Sequence, residues 1–245
     1  MARTALLVTT WHLTTVTAVV DLTPTARALR LALPEAVHAL PGQHVDIRLT
    51  AEDGYSTARA YSLSDVRETR SIEVTVERLE DGEVSPYLVD MVEVGDPLEI
   101  SDPHGYWFTW PSGDDRPVQL IGGGSGIAPL MSMIRSREVE APQTPFSLVY
   151  SVRSPERVYY RDEIRQLIAH RRMDVHLIHT RVAPDDATRP AGRLTADELA
   201  ALTMDPATSP TVFICGPNRF VENCAQWMVE AGHDRTRIRT ERFGE

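Results

Sequence analysis

The chain has 245 residues, 42% hydrophobic and 24% charged, with a formal net charge of −10; this is a globular composition, long enough for two ordinary domains, and it argues against a disordered or fibrous chain. The negative charge and the scatter of the arginines argue against nucleic-acid binding, which relies on clustered Lys and Arg. Cys215 and Cys224 are too few thiols for a four-thiolate iron–sulfur cluster or a Cys zinc site.

Over the first hundred or so residues, short period-two runs at 28–33, 45–49 and 72–76 predict half-buried antiparallel strands, punctuated by Pro41-Gly42, Asp53-Gly54 and Asp81-Gly82. They predict a small antiparallel Greek-key β-barrel. A polar, breaker-rich stretch at 111–117 reads as a linker, which divides the chain into domains 1–112 and 113–245. Beyond it, continuous apolar runs at 118–121, 146–150, 175–178 and 212–215 alternate with helical stretches at 161–170, 195–202 and 218–231. Buried parallel strands alternating with helices predict an α/β doubly wound parallel sheet. No stretch holds the roughly 18 uninterrupted apolar residues of a spanning helix, and the first twenty residues do not read as a secretion signal. A cytoplasmic protein without membrane contact is expected.

The first of those apolar runs leads into Gly122, Gly123, Gly124, Ser125, Gly126, Ile127, Ala128 and Pro129, and a helical stretch at 130–135 follows. Glycines let a backbone approach a pyrophosphate closely, while free N–H groups and the helix dipole favour its charge. Pro129 suits the first helical turn. Taken alone, the loop could equally be a tight βα turn. A nucleophile elbow would need glycine at Ile127, which argues against a hydrolase. An ordinary dinucleotide fold places an acidic residue after its second strand, where this chain has Tyr150, Ser151, Val152 and Arg153. The eight histidines form no metal set: His176 and His179, three apart on one strand, face opposite ways. No metal is expected, and His104 reads as a loop residue near the domain junction.

Five segments then occur in order: Arg59-Ala60-Tyr61-Ser62-Leu63-Ser64, Gly82-Glu83-Val84-Ser85-Pro86, the glycine loop, Cys215-Gly216-Pro217 and Glu241-Arg242-Phe243. They resemble the R-x-Y-S, G-x-V-S, G-G-x-G-[IT]-x-P, C-G-P and acidic-x-aromatic motifs of the ferredoxin–NADP reductase family, and they cover nearly the whole chain. The resemblance implies FAD on the barrel, with FMN the alternative, held by Arg59, Ala60, Tyr61, Ser62, Leu63, Ser64, Gly82, Val84 and Ser85. Ser85 and Pro86 read as the N-cap and first position of a short helix, an anion site that the resemblance gives to the flavin diphosphate. Gly123, Gly124, Ser125, Gly126, Pro129, Arg153, Thr180, Arg181, Cys215, Gly216 and Pro217 would hold the nicotinamide dinucleotide. Phe243 would cover the flavin face until nicotinamide displaces it.

By the same resemblance Ser62, Cys215, Glu241 and Phe243 are the catalytic set: Ser62 near flavin N5, Cys215 beside nicotinamide C4, and Glu241 handling protons. NADPH is expected over NADH, with Arg181 reading the 2′-phosphate and Arg153 helping. The expected activity is hydride transfer from NAD(P)H to FAD, then electron release to a separate ferredoxin, haem or other redox protein. With the chain ending at Glu245, no iron–sulfur domain is expected on it. Two alternatives stay open: direct reduction of a small molecule such as a quinone or free flavin, and a non-catalytic nucleotide-sensing module.

Overall fold

A computed structural model describes residues 10–243. Its first half is a closed barrel of six antiparallel strands: β1 (Trp11–Thr23), β2 (Ala26–Ala32), β3 (His44–Thr50), β4 (Ser56–Glu68), β5 (Ser71–Glu77) and β6 (Pro97–Ser101), arranged β1-β2-β5-β4-β3-β6. The period-two runs supply its interior, where Leu29, Leu31, Val45, Ile47, Ile72, Val74 and Val76 pack with Leu63. β1 has no counterpart among those runs. Its 13 residues carry two register shifts, between Val16 and Ala18 and between Asp21 and Thr23; bulges of this kind bend a strand and break its alternation.

A short helix, α1 (Ser85–Asp90), lies between β5 and β6. The sequence reading of Ser85 as its N-cap is corrected here. Val84 is the N-cap and gives no side-chain cap, while the buried Ser85 hydroxyl turns back to accept a hydrogen bond from the Leu79 N–H at 3.0 Å. The serine closes the 79–85 turn and leaves the helix start uncapped.

The second half is a five-stranded parallel sheet of β7 (Val118–Gly123), β8 (Phe146–Val152), β9 (Asp174–His179), β10 (Thr211–Pro217) and β11 (Ile238–Phe243), ordered β11-β10-β7-β8-β9. Helices α2 (Ile127–Glu140) and α3 (Arg161–Ala169) follow β7 and β8, α4 (Ala196–Leu202) precedes β10, and α5 (Asn218–Glu230) follows it. The chain steps outward to β9, then returns to place β10 against the other edge of β7. That reversal opens a crevice between the carboxyl ends of β7 and β10, where open α/β sheets bind ligands. Among the described residues no helix is long and apolar enough to cross a membrane.

The domains share a core. Phe108 and Trp110, on the segment between β6 and β7, pack with Leu120, Leu130, Phe146 and Phe213. α2 lies in this interface, and residues 127–137 are all buried. Of its polar members Ser132 and Arg135 are paired, while the buried Ser136 hydroxyl has no hydrogen-bond partner among the described residues. Ser132 Oγ accepts from Gly42 N–H at 2.9 Å, and Arg135 Nη1 donates to Ser64 O at 3.1 Å and to Glu73 Oε1 at 2.7 Å. Arg135 Nε and Nη2 donate to Glu163 at 2.9 and 2.6 Å, while Glu73 also accepts from Arg30, the Ser64 hydroxyl and the Tyr160 hydroxyl.

Candidate functional site

At the front of the interface, β4 carries Arg59, Ala60, Tyr61 and Ser62 along one wall of a cavity of about 460 Å³. Thr75 and Glu77 of β5 and the 82–85 turn continue that wall. Ser125, Ala128, Pro217, Arg242 and Phe243 of the second domain face them. A second space of about 210 Å³ shares Glu77, Ser125 and Pro217 with the first and runs past Gly123, Gly124, Arg153, Arg157, Tyr159 and Thr180. A third, of about 360 Å³, shares Ala60, Ser62, Arg242 and Phe243 and adds His44, Tyr106, Trp107 and Glu241. The three adjoin through these shared residues and together line a trough along the crevice.

The glycine loop forms the wall common to the first two. Gly124 has φ +57°, and a Cβ there would meet no atom within 4 Å, so the loop leaves open space at the start of α2. Gly126 is needed for the opposite reason: a Cβ would lie 2.3 Å from the Cys215 carbonyl oxygen. The loop after β7 thus lies against the backbone at the end of β10. Tyr150 Oη donates to Gly124 O at 3.1 Å and holds the loop from below. Tyr150 belongs to an apolar run, so only the fold reveals this role.

Arg59 is exposed and donates to Glu83 at 2.9 Å and to Thr57 at 2.9 Å. Tyr61 is half-buried against the barrel core, and burial pushes its hydroxyl pKa up to about 12. On the other side Cys215 is buried and pairs in register with Glu241. Burial first, and the Glu241 charge second, push its thiol well above the usual range, which keeps it neutral. Burial likewise raises the Glu241 carboxyl to about 7, and the Ser62 hydroxyl, donating to its Oε1 at 3.3 Å, opposes that rise. Glu241 therefore changes charge near neutral pH.

Not every residue singled out in the sequence reaches the trough. Leu63 is in the barrel core, Ser64 joins the Arg135–Glu73 network, and Pro129 is buried in the first turn of α2. Arg181 is exposed, with its backbone N–H bonded to Arg153 O at 2.9 Å, and it lines none of the three cavities. Arg153 and Thr180 do line the second. Sequence reasoning passed over Glu77, Arg157, Tyr159 and His44. No motif marks them; strand register and chain reversal bring them in.

Two family profiles match the chain: the oxidoreductase FAD-binding domain over residues 13–109 and the oxidoreductase NAD-binding domain over 120–226. The ferredoxin reductase component of 3-ketosteroid-9-alpha-monooxygenase from Rhodococcus rhodochrous is 32% identical over 234 residues, covering 94% of this chain and 64% of that protein. A flavohemoprotein of Rhodopirellula baltica is 30% identical over 217 residues, covering 83% of this chain and 52% of its own length. The chain thus spans between about half and two thirds of these relatives. Among solved structures, the flavohem-like FAD/NAD binding domain of nitric oxide dioxygenase from Vibrio cholerae superposes with a TM-score of 0.85 at 26% identity, covering 96% of this chain and 99% of that domain.

Proposed function

Because the chain belongs to the ferredoxin-reductase-type family of FAD- and NAD-binding oxidoreductases, we propose that it draws reducing equivalents from NADPH, or less readily NADH, through FAD and delivers electrons to a separate redox protein. The observation that carries this reading is the trough itself. It extends from the β4 shelf of one domain to the glycine loop of the other through three adjoining cavities, which share Ser62, Ser125 and Phe243 as walls.

The residues fit both nucleotides. The 460 Å³ cavity is walled mainly by apolar surface, with room beside Tyr61 for a flat ring. Arg59 at its edge offers a fork of donors suited to a pyrophosphate once Glu83 releases it. The open space above Gly124, at the N-terminus of α2, suits the second pyrophosphate. Bound flavin would supply the redox chemistry, taking hydride from nicotinamide and releasing electrons singly. The protein's own groups have simpler tasks. Ser62 and Glu241 form a hydroxyl–carboxyl pair able to hold or pass a proton at neutral pH. Neutral Cys215 backs the trough without adding charge, and Phe243 fills the space that nicotinamide must enter. Two free buried thiols accord with a cytoplasmic setting.

The test is direct. The purified protein should be yellow, release FAD on denaturation and bleach under anaerobic NADPH. Released FMN would correct the cofactor, and a colourless protein that binds no flavin would overturn the reading. Turnover with a panel of ferredoxins, cytochromes and quinones then separates a redox-protein acceptor from a small molecule.

A further inference from the structure

We propose that His44, backed by His104 and Asp46, carries the proton released in each turnover from Glu241 to solvent. The inference rests on the functional reading above, in which the Ser62–Glu241 pair lies beside the reacting ring. Balance demands such an exit. Oxidation of one NAD(P)H by two equivalents of a one-electron acceptor yields NAD(P)+, two reduced acceptors and one proton. The electrons leave to the acceptor, and the proton must reach bulk water.

His44 and Ser62 are direct partners across the β3–β4 ladder, which puts their Cβ atoms about 5 Å apart on one face. Both line the 360 Å³ cavity, as does Glu241, whose Oε1 accepts from the Ser62 hydroxyl. Behind His44, the backbone N–H of His44 donates to His104 O at 3.1 Å and that of His104 to His44 O at 2.9 Å. This two-way bridge holds the imidazoles 4.1 Å apart between centroids at 67°. Gly105 lets the loop come this close, since a Cβ there would lie 3.0 Å from the His44 ring. His104 Nε2 is in turn 3.3 Å from Asp46 Oδ2, enclosed and without a hydrogen-bond partner among the described residues, while the side chains of His104 and Asp46 are 42% and 33% exposed overall. The series runs from a partly buried carboxyl, through a half-buried imidazole, to side chains partly exposed at the surface.

The charged and titratable groups around His44 are Asp46 on its own strand, His104 on the segment after β6, and Glu241 and Arg242 on β11. Burial and the His104 charge hold His44 below its ordinary range, against the pull of Asp46. It is therefore neutral at pH 7, with a free nitrogen to accept a proton, and the second imidazole passes the proton outward.

The holoprotein, reduced with one equivalent of NADPH and mixed rapidly with ferricyanide in weak buffer containing a pH indicator, reports electron exit and proton release separately. In the parent the two coincide. In His44→Phe and His44→Gln, proton release should lag by about a hundredfold, the low end of what a placed acid–base group contributes, and millimolar imidazole should restore it. The glutamine variant, polar and close in size, guards against misfolding by the phenylalanine one. A histidine NMR titration of the oxidised holoprotein gives the second readout: Glu241→Gln should lower the His44 pKa by removing a nearby negative charge. Parental proton release in both His44 variants would overturn the inference alone, since cavity water would then suffice. A parent that NADPH does not reduce would overturn the functional reading and this inference with it.

Discussion

The two domains meet along a rear surface and a front surface built on opposite principles. At the rear, Arg135 is enclosed, with Ser64 O, Glu73 and Glu163 taking its donors, and Glu73 gathers three further partners. At the front, Arg59, Glu77, Ser125 and Phe243 face one another across open space, and the cross-domain bond from Ser62 to Glu241 is long at 3.3 Å. A hydroxyl hydrogen bond usually spans 2.5–3.0 Å, so this one adds little to docking. The rear network sets the relation of the domains; the front can then stay open without collapsing. Buried ion pairs often add little net stability over apolar packing, but removing one partner strands the other, so a saturated network enforces one geometry.

The largest expected effect comes from breaking the rear. Arg135→Ala leaves Glu73 buried without its strongest partner and should cost about 3–5 kcal/mol. Arg135→Met, which keeps the volume, should cost clearly less against an apolarised Glu73→Met background. Urea unfolding of the single and double variants measures both, and equal losses in the two backgrounds would mean that the network does not act as a unit.

Outside the trough, on the exposed segment that follows β9 and is bonded to Arg153, the expected effect is next in size. Arg181→Ala should lower kcat/KM for NADPH by about ten- to a hundredfold, the loss of one charge-assisted hydrogen bond of about 1.5–3 kcal/mol, while use of NADH barely changes. An equal loss for both cofactors would show that Arg181 supports its loop without reading the phosphate.

Glu241 gives the front its pH signature. Its folded pKa is raised from 4.5 to about 7, so the folded, flavin-free protein binds more protons than the unfolded chain between those values. Stability therefore falls as pH rises from about 4.5 to about 7. Glu241→Gln should flatten that fall, as read from melting curves across the range.

The smallest stability effect belongs to the exposed Arg59–Glu83 pair at the trough's edge. Glu83→Ala should change stability by less than about 1 kcal/mol, yet tighten flavin binding by freeing Arg59. Flavin fluorescence titration would detect it, and weaker binding would show that Glu83 orients Arg59 instead of competing for it.

Legibility in the sequence followed the range of the interactions. β7, β8 and β10 stood out as unbroken apolar runs because both faces of a central parallel strand are buried. β11 did not, because it is an edge strand whose Arg239, Glu241 and Arg242 interrupt the pattern. α2 is longer than its apolar stretch suggested, since Ser132, Arg135 and Ser136 are buried along with its apolar residues. Within the site, Arg59, Ser62, Gly124 and Gly126 were legible as local motifs. Glu77, Tyr159 and His44 were not, since each enters through a neighbour fixed by register or chain reversal.

What the sequence determined by itself is local: strand periodicity, the backbone freedom of the glycine loop, and a helix start beside it. The pairing of Ser62 with Glu241, 179 residues apart, was decided only by tertiary structure, as was the burial that brings Glu241 to about 7. The physical reason is that a carboxyl's charge depends on the solvent and dipoles around it, and those come from whatever the fold packs there.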